Sequence, residues 1–157
     1  MTTEFPWKAL AISGAVALVV AVAGGLLTEI GPWYRALKKP SFQPPDWLFG
    51  PAWTLIFTLT AISAAYAWRD AGPGARISIV TLFLINAALN IAWSGIFFTM
   101  RRPDLALIEV AFLWASILLL IIWILPVSRF AALLLVPYLL WVSFASFLNW
   151  TIVRLNG

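Results

Sequence analysis

The sequence predicts an all-α membrane protein: a bundle of five transmembrane helices with a long Pro/Trp-rich loop between the first and second. Three observations predict it. The 157 residues are 63% hydrophobic and only 10% charged, with mean hydropathy +0.97, whereas soluble domains run nearer 25% charged. Apolar runs at residues 9–27, 51–68, 77–99, 105–125 and 130–154 are each of a length to cross a hydrocarbon core of about 30 Å at 1.5 Å per residue. Between the first two lies the segment WYRALKKPSFQPPDWLFGPAW, residues 33–53, with four of the ten prolines.

The first run, 9–27, is uncharged. Lys8 before it and the small residues Ala21, Ala23, Gly24 and Gly25 near its end also fit a signal peptide. The apolar stretch is long for a signal h-region, so a retained first helix is the expectation. Pro51 suits the first turn of the second helix, where its missing N–H costs nothing. That helix runs to Trp68, and the Gly/Pro turn RDAGPGAR follows. The third run stops at Met100-Arg101-Arg102-Pro103 and the fourth before Pro126. Pro137 falls inside the fifth, where a membrane helix tolerates it by kinking. One domain covers residues 1–157.

Residue usage narrows the chemistry. Without cysteine there are no disulfides, thiolate metal sites or cysteine nucleophiles. Without histidine the commonest general base and metal ligand are missing, so no metal site is expected. The net charge of +4 sits at helix ends and loops. It suits lipid headgroups, and no basic stripe points to nucleic acid. Lys8, Arg69, Arg76 and Arg129 fall on one side of the membrane. Arg35, Lys38, Lys39, Arg101, Arg102 and Arg154 fall on the other, which places the long loop and the C-terminus in the cytoplasm.

Connections in compact domains usually take about 4–6 residues, and long loops that persist tend to be lids or binding loops. The 33–53 segment is therefore read as a cover over a pocket. Tryptophan is the outstanding compositional signal, with ten in the chain. Trp7, Trp68, Trp123 and Trp150 lie near span ends and fit the aromatic belt at the bilayer interfaces. Trp141 lies about 20 Å and Trp93 about 9 Å inside their helix ends at helical rise. An indole N–H at such depth needs a partner.

Helical spacing puts Asn86, Asn90, Trp93 and Phe97 on one face of the third helix. Tyr138, Trp141, Ala145 and Leu148 share a face of the fifth, flanked by Phe144 and Asn149. Phe49, Trp53 and Phe57 line up where the loop enters the second. Amides facing lipid are costly, so Asn86, Asn90 and Asn149 should point inward. Interhelical bonding and ordinary packing would account for any one of these residues alone; together the three faces favour a ligand cavity. Glu109 lies in the first turns of the fourth helix, where the dipole favours an anion, and pairing with Arg101 or Arg102 is expected. Small residues on the first helix (Gly14, Ala17, Ala21, Gly24, Gly25) and the third (Ala87, Ala88, Ala92, Gly95) are read as patches for close helix approach.

Three motifs carry a resemblance. They are W-Y-x-x-L-x-K-P-S-F-x-P-P-x-W-x-F-G-P-x-W at 33–53, L-N-x-A-W-S-x-I-F-F at 89–98 and P-Y-L-x-W-x-x-F-A-x-x-L-N at 137–149. In this order they resemble the TspO/translocator protein family, formerly the peripheral-type benzodiazepine receptors or tryptophan-rich sensory proteins. The resemblance implies a five-helix fold, often a homodimer, in a bacterial membrane, with a pocket capped by the first loop. Family ligands are porphyrins such as protoporphyrin IX, sterols and synthetic drugs. Carried over by position, the pocket holds Phe49, Gly50, Ala52 and Trp53. Asn90, Trp93, Leu105 and Phe112 join them from the third and fourth helices, with Trp141, Phe144, Ala145 and Leu148 from the fifth. Trp33, Tyr34, Asn86, Phe97, Tyr138 and Asn149 complete the candidate set from the residues themselves. Trp53 and Trp141 match tryptophans tied to light-dependent porphyrin breakdown. One departure stands out: Trp150 occupies the position of the tyrosine in the family's sterol motif, a weak pattern in any case, which puts sterol binding through it in doubt.

The leading expectation is a receptor or carrier for a flat, largely apolar tetrapyrrole, needing no cofactor. Aromatic rings would stack on the macrocycle, and Arg35, Lys38 or Lys39 would meet its propionates. With no axial His or Cys for iron, metal-free porphyrin should bind at least as well as haem. The alternatives are a light-dependent porphyrin-degrading enzyme using Trp53 and Trp141, and a structural or regulatory membrane protein without a small ligand.

Overall fold

The structure, a computed structural model, describes residues 4–157. Its helices are α1 (Trp7–Leu27), α2 (Pro32–Ala36), α3 (Asp46–Asp70), α4 (Pro73–Ser94), α5 (Pro103–Ile124), α6 (Arg129–Leu134) and α7 (Val136–Asn156). α4 runs on through a π-helical turn, Gly95–Thr99, and α6 and α7 form one span, Arg129–Asn156. Among the described residues there is no strand, and five helices are long and apolar enough to cross a membrane. The protein is an integral membrane protein.

Prolines shape the helices differently from the sequence expectation in two places. α3 starts at Asp46, so Pro51 lies inside it rather than in its first turn. Pro45, extended at φ −62° and ψ 148°, is the true stop, and Asp46 in the first turn meets the positive end of the helix dipole. The carbonyl that Pro51 deprives of a donor is that of Trp47, whose side chain is exposed; this end of the helix is open to headgroups and water. Pro137 does the reverse. Instead of kinking a continuous helix it sits in the first turn of α7, and the span breaks at Leu135. A proline N1 or N2 position needs no N–H, and Leu135 N–H closes the preceding turn on the Ala132 carbonyl at 3.1 Å.

The spans form a ring. α1 packs on α3 and α4, α4 on α5, and α5 on α6 and α7. α3 closes the ring along α6 but meets α7 only sparsely. Ile117, Leu120, Ile124, Ala131 and Leu135 are all fully buried, so the ring is filled where α5, α6 and α3 meet, away from the long loop. There Ser63 Oγ donates to the Ala131 carbonyl at 2.7 Å. Toward the loop, α3 and α7 splay, and the interior is hollow.

Polar side chains brace the ring from inside. Asn86 Nδ2 donates to Ser116 Oγ (3.0 Å), Tyr138 OH donates to Asn86 Oδ1 (3.2 Å), and Asn90 Nδ2 donates to Tyr138 OH (2.7 Å). All four residues are buried. This chain joins α4, α5 and α7 at mid-membrane, where each bond is worth about 0.6 kcal/mol and at most about 1.7. α1 packs chiefly on α3, yet of its 21 residues only Val20 is buried.

Candidate functional site

The hollow at the loop end is a cavity of about 860 Å³ walled by α1, α3, α4, α5 and α7, within the range of small-molecule sites. Three indoles reach it: Trp53 from α3, Trp93 from α4 and Trp141 from α7. The Trp53 and Trp141 rings meet edge to face at 6.3 Å, and Phe49 meets Trp141 the same way at 5.7 Å. These rings bridge the gap left where α3 and α7 diverge. On the opposite wall Trp93 stacks on Phe97 at 5.0 Å and meets Phe98 edge to face at 5.9 Å. Both contacts are possible because the π-helical turn adds a residue per turn, bringing positions five apart beside each other as well as positions four apart.

The polar groups at this wall fall into two kinds. Trp93 Nε1 donates to Asn149 Oδ1 at 3.1 Å, and Asn149 Nδ2 donates to the Pro103 carbonyl at 2.9 Å; these are satisfied. Trp141 Nε1 and Gln43 Oε1 are buried without a partner, and both residues line the cavity. An unpaired buried donor or acceptor costs about 1–3 kcal/mol, so these two atoms are the polar groups of the wall that no other side chain satisfies.

Ile30, Tyr34 and Gln43 of the loop line the cavity's outer end. The loop is fastened through Tyr34. Gln43 Nε2 donates to its hydroxyl at 2.9 Å, the hydroxyl donates to Asp46 Oδ1 at 3.4 Å, and Lys39 Nζ donates to its carbonyl at 2.6 Å. Burial, with the nearby Asp46 charge, pushes the Tyr34 hydroxyl up to about 12, so it stays neutral and donating across the physiological range. Phe42 stacks on Phe147 at 5.4 Å. Asn156, in the last turn of α7, clasps the Lys38 backbone: it accepts from the N–H at 2.9 Å and donates to the carbonyl at 2.9 Å.

Of the residues singled out from sequence, Tyr34, Phe49, Gly50, Trp53, Asn90, Trp93, Phe97, Trp141, Ala145, Leu148 and Asn149 line this cavity. Trp33 stands behind it, edge to face with Phe97 at 6.0 Å, and Phe144 lies beside Trp141 at 6.0 Å. Tyr138 and Asn86 lie deeper, in the polar chain. Ala52 and Leu105 are half-buried outside the lining. Phe112 is 62% exposed and faces outward, because α5 buries the stripe through Val110, Leu113 and Ile117 instead. Glu109 is not paired as expected. Arg102 binds Asp104 at 2.7 Å, two residues away, and both Glu109 oxygens are buried without a partner.

Sequence reasoning missed the wall supplied by α1. Gly14, Ala17, Ala21, Gly24 and Gly25 all line the cavity. A Cβ added at Gly14 or Gly25 would meet nothing within 4 Å, so these two glycines face space rather than a packed helix. The signal was present as a small-residue stripe, but its spacing alone does not say what it faces. None of Arg35, Lys38 and Lys39 lines the cavity, and Lys39 is engaged by Tyr34, its ammonium 4.3 Å from the ring centre.

The TspO/MBR family pattern matches residues 12–155. A tryptophan-rich protein TspO of Chlorobaculum tepidum is 42% identical over 94% of this chain and 95% of its own. The translocator protein of Homo sapiens is 35% identical over 79% of this chain and 75% of its own. A tryptophan-rich sensory protein of Cereibacter sphaeroides is 32% identical over 84% and 82%.

The Asn156 clasp lies just beyond the matched residues, and its role in holding the loop is testable. Asn156→Ala should leave the helical content unchanged and raise trypsin cleavage after Arg35 or Lys38 several-fold, about what losing one or two hydrogen bonds of roughly 1 kcal/mol implies. Cleavage at the wild-type rate would mean the clasp does not secure the loop.

Proposed function

The chain belongs to the TspO/MBR family, and we propose that it is a membrane receptor and carrier for porphyrins. The ligands are flat, largely apolar tetrapyrroles of the protoporphyrin IX kind and related apolar molecules, held in the intramembrane cavity. The observation that carries this reading is the pair of unsatisfied groups in an aromatic box. Trp141 Nε1 offers a donor beside the ring of Trp53, and Gln43 Oε1 offers an acceptor at the cavity's outer end. A metal-free macrocycle carries carboxylates at its rim, which would accept from Trp141 Nε1, and two faces that stack at about 0.5–1.5 kcal/mol per aromatic partner. The protein needs no cofactor for this. Arg35 and Lys38 are the exposed cations nearest the loop-side opening in sequence and are assigned to the propionates.

A second reading, light-dependent porphyrin degradation, is favoured by one feature. Trp53 and Trp141 lie in edge-to-face contact on the cavity wall, where both would adjoin an excited pigment. In this reading the same residues act on the bound ligand rather than merely holding it.

Three measurements test these readings. Titration with protoporphyrin IX and with haem, followed by tryptophan fluorescence, should show the metal-free ligand binding at least as tightly. Trp141→Phe keeps the ring but removes the donor, and should weaken binding about 3–10-fold, the equivalent of one hydrogen bond. Clearly tighter haem binding with an iron-ligand spectrum, or an unchanged affinity in the variant, would contradict the receptor reading. Under illumination, bound porphyrin should bleach faster in wild type than in Trp141→Phe if degradation is real; equal rates would remove it. The loop and C-terminus are assigned to the cytoplasm. A cysteine replacing Ser41 in this cysteine-free chain should therefore resist an impermeant maleimide in spheroplasts while one replacing Gly74 reacts, and the opposite pattern would reverse the topology.

A further inference from the structure

In the half of the membrane away from the long loop, α1, α3 and α4 leave a groove of about 520 Å³. It opens outward: Ile12 and Val16 of α1 and Val80 and Leu84 of α4 line it and are all exposed. Along α3 it reaches from Trp68 to Phe57, about 16 Å at helical rise. Half of a hydrocarbon core of about 30 Å is about 15 Å, so the groove is one leaflet deep.

Its depth asks only for hydrocarbon. Asn86, Asn90 and Tyr138 at the inner end are bonded to one another. On the walls Ser13 Oγ donates to the Ala61 carbonyl and Thr60 Oγ1 to the Ile56 carbonyl. None of the buried polar atoms that lack a partner belongs to a residue of this groove.

The outer end is cationic. Lys8 and Trp68 form the rim, and the Arg76 guanidinium lies over the Trp68 ring, 4.6 Å from its centre. Arg76 Nε donates to the Trp68 carbonyl at 2.8 Å. That bond fixes the side chain and leaves its two terminal nitrogens without a protein partner among the described residues. Neither Arg76 nor Lys8 is in an ion pair among those residues. Arg69 is different, since Asp70 holds it at 2.8 Å and it also donates to the Glu4 carbonyl. Arg76 therefore has donors to spare for a phosphate, which a guanidinium binds through paired hydrogen bonds.

We propose that this groove is a site for one anionic phospholipid. Arg76 and Lys8 hold its phosphate at headgroup level, and an acyl chain lies between α1, α3 and α4. Charge complementarity at the rim and the depth of a single leaflet select this occupant.

The test is a lipid titration of the purified full chain in detergent, read by native mass spectrometry. The probes are phosphatidylglycerol and phosphatidylcholine with identical acyl chains. A basic side chain at an anionic membrane surface is worth about fivefold in affinity, so two should give wild type a preference of about 25-fold for phosphatidylglycerol. Arg76→Gln and Lys8→Gln should each cut that preference about fivefold and leave phosphatidylcholine binding unchanged. Arg129→Gln, on the same membrane side but outside the groove, should leave the preference within about twofold. Ala64→Trp, on the groove wall, fills chain space and should weaken both lipids alike, about tenfold. Ala87→Phe, on the facing wall, replaces it should Ala64→Trp fold poorly. Equal binding of the two lipids by wild type, or a preference that survives Lys8→Gln combined with Arg76→Gln, would overturn the site. A lipid-free wild-type dimer that Ala64→Trp dissociates would give the groove to a second copy of the chain and overturn it as well.

Discussion

A polar group in hydrocarbon has only the protein to bond to, and the interior of this bundle is organised by that constraint. Ser116, Asn86, Tyr138 and Asn90 satisfy one another across three helices, fixing the register of α4, α5 and α7 at mid-membrane. Asn149 does the same nearer the loop by joining Trp93 to the Pro103 carbonyl. With the framework fixed this way, α3 and α7 diverge without the bundle collapsing. The exceptions to the rule then become informative. Two of them, Trp141 Nε1 and Gln43 Oε1, lie at the wall of the space so created, while the unpartnered Glu109 carboxylate lies outside it.

The space also depends on what α1 lacks. A helix with large side chains on its inner face would fill the bundle; this one presents glycine and alanine, and at Gly14 and Gly25 even a methyl group would touch nothing. Small residues in membrane helices usually permit close backbone approach. Here part of the stripe keeps volume open instead. The consequence is a helix that is weakly buried, bonded to its neighbours through Ser13 and through the Leu27 carbonyl, which accepts from Thr99 Oγ1 at 3.0 Å.

Much of this was legible in the residues. Apolar runs of membrane-crossing length, with at most one charge each, gave the five spans, and the inward placement of Asn86, Asn90 and Asn149 follows from the cost of an amide in lipid. The proline-bounded details were less legible. Whether Pro51 begins a helix or lies within it depends on Pro45 and Asp46 upstream, and Pro137 broke its span because Leu135 could close a turn before it. Phe112 was misplaced because family position does not specify which stripe of α5 packs inward. Glu109 stands in the first turns of α5 as expected, but its pairing fails because Arg102 has Asp104 closer to hand. The α1 wall was hidden for a different reason: a stripe of small residues has the same sequence signature whether it faces a helix or a void.

The most direct measurement is an experimental structure of the protein with protoporphyrin IX bound. The account predicts macrocycle density between Trp53, Trp93 and Trp141, with a polar atom of the ligand within hydrogen-bonding reach of Trp141 Nε1. Density confined to the lipid-facing surface, with the space among the indoles closed by the protein's own side chains, would contradict it.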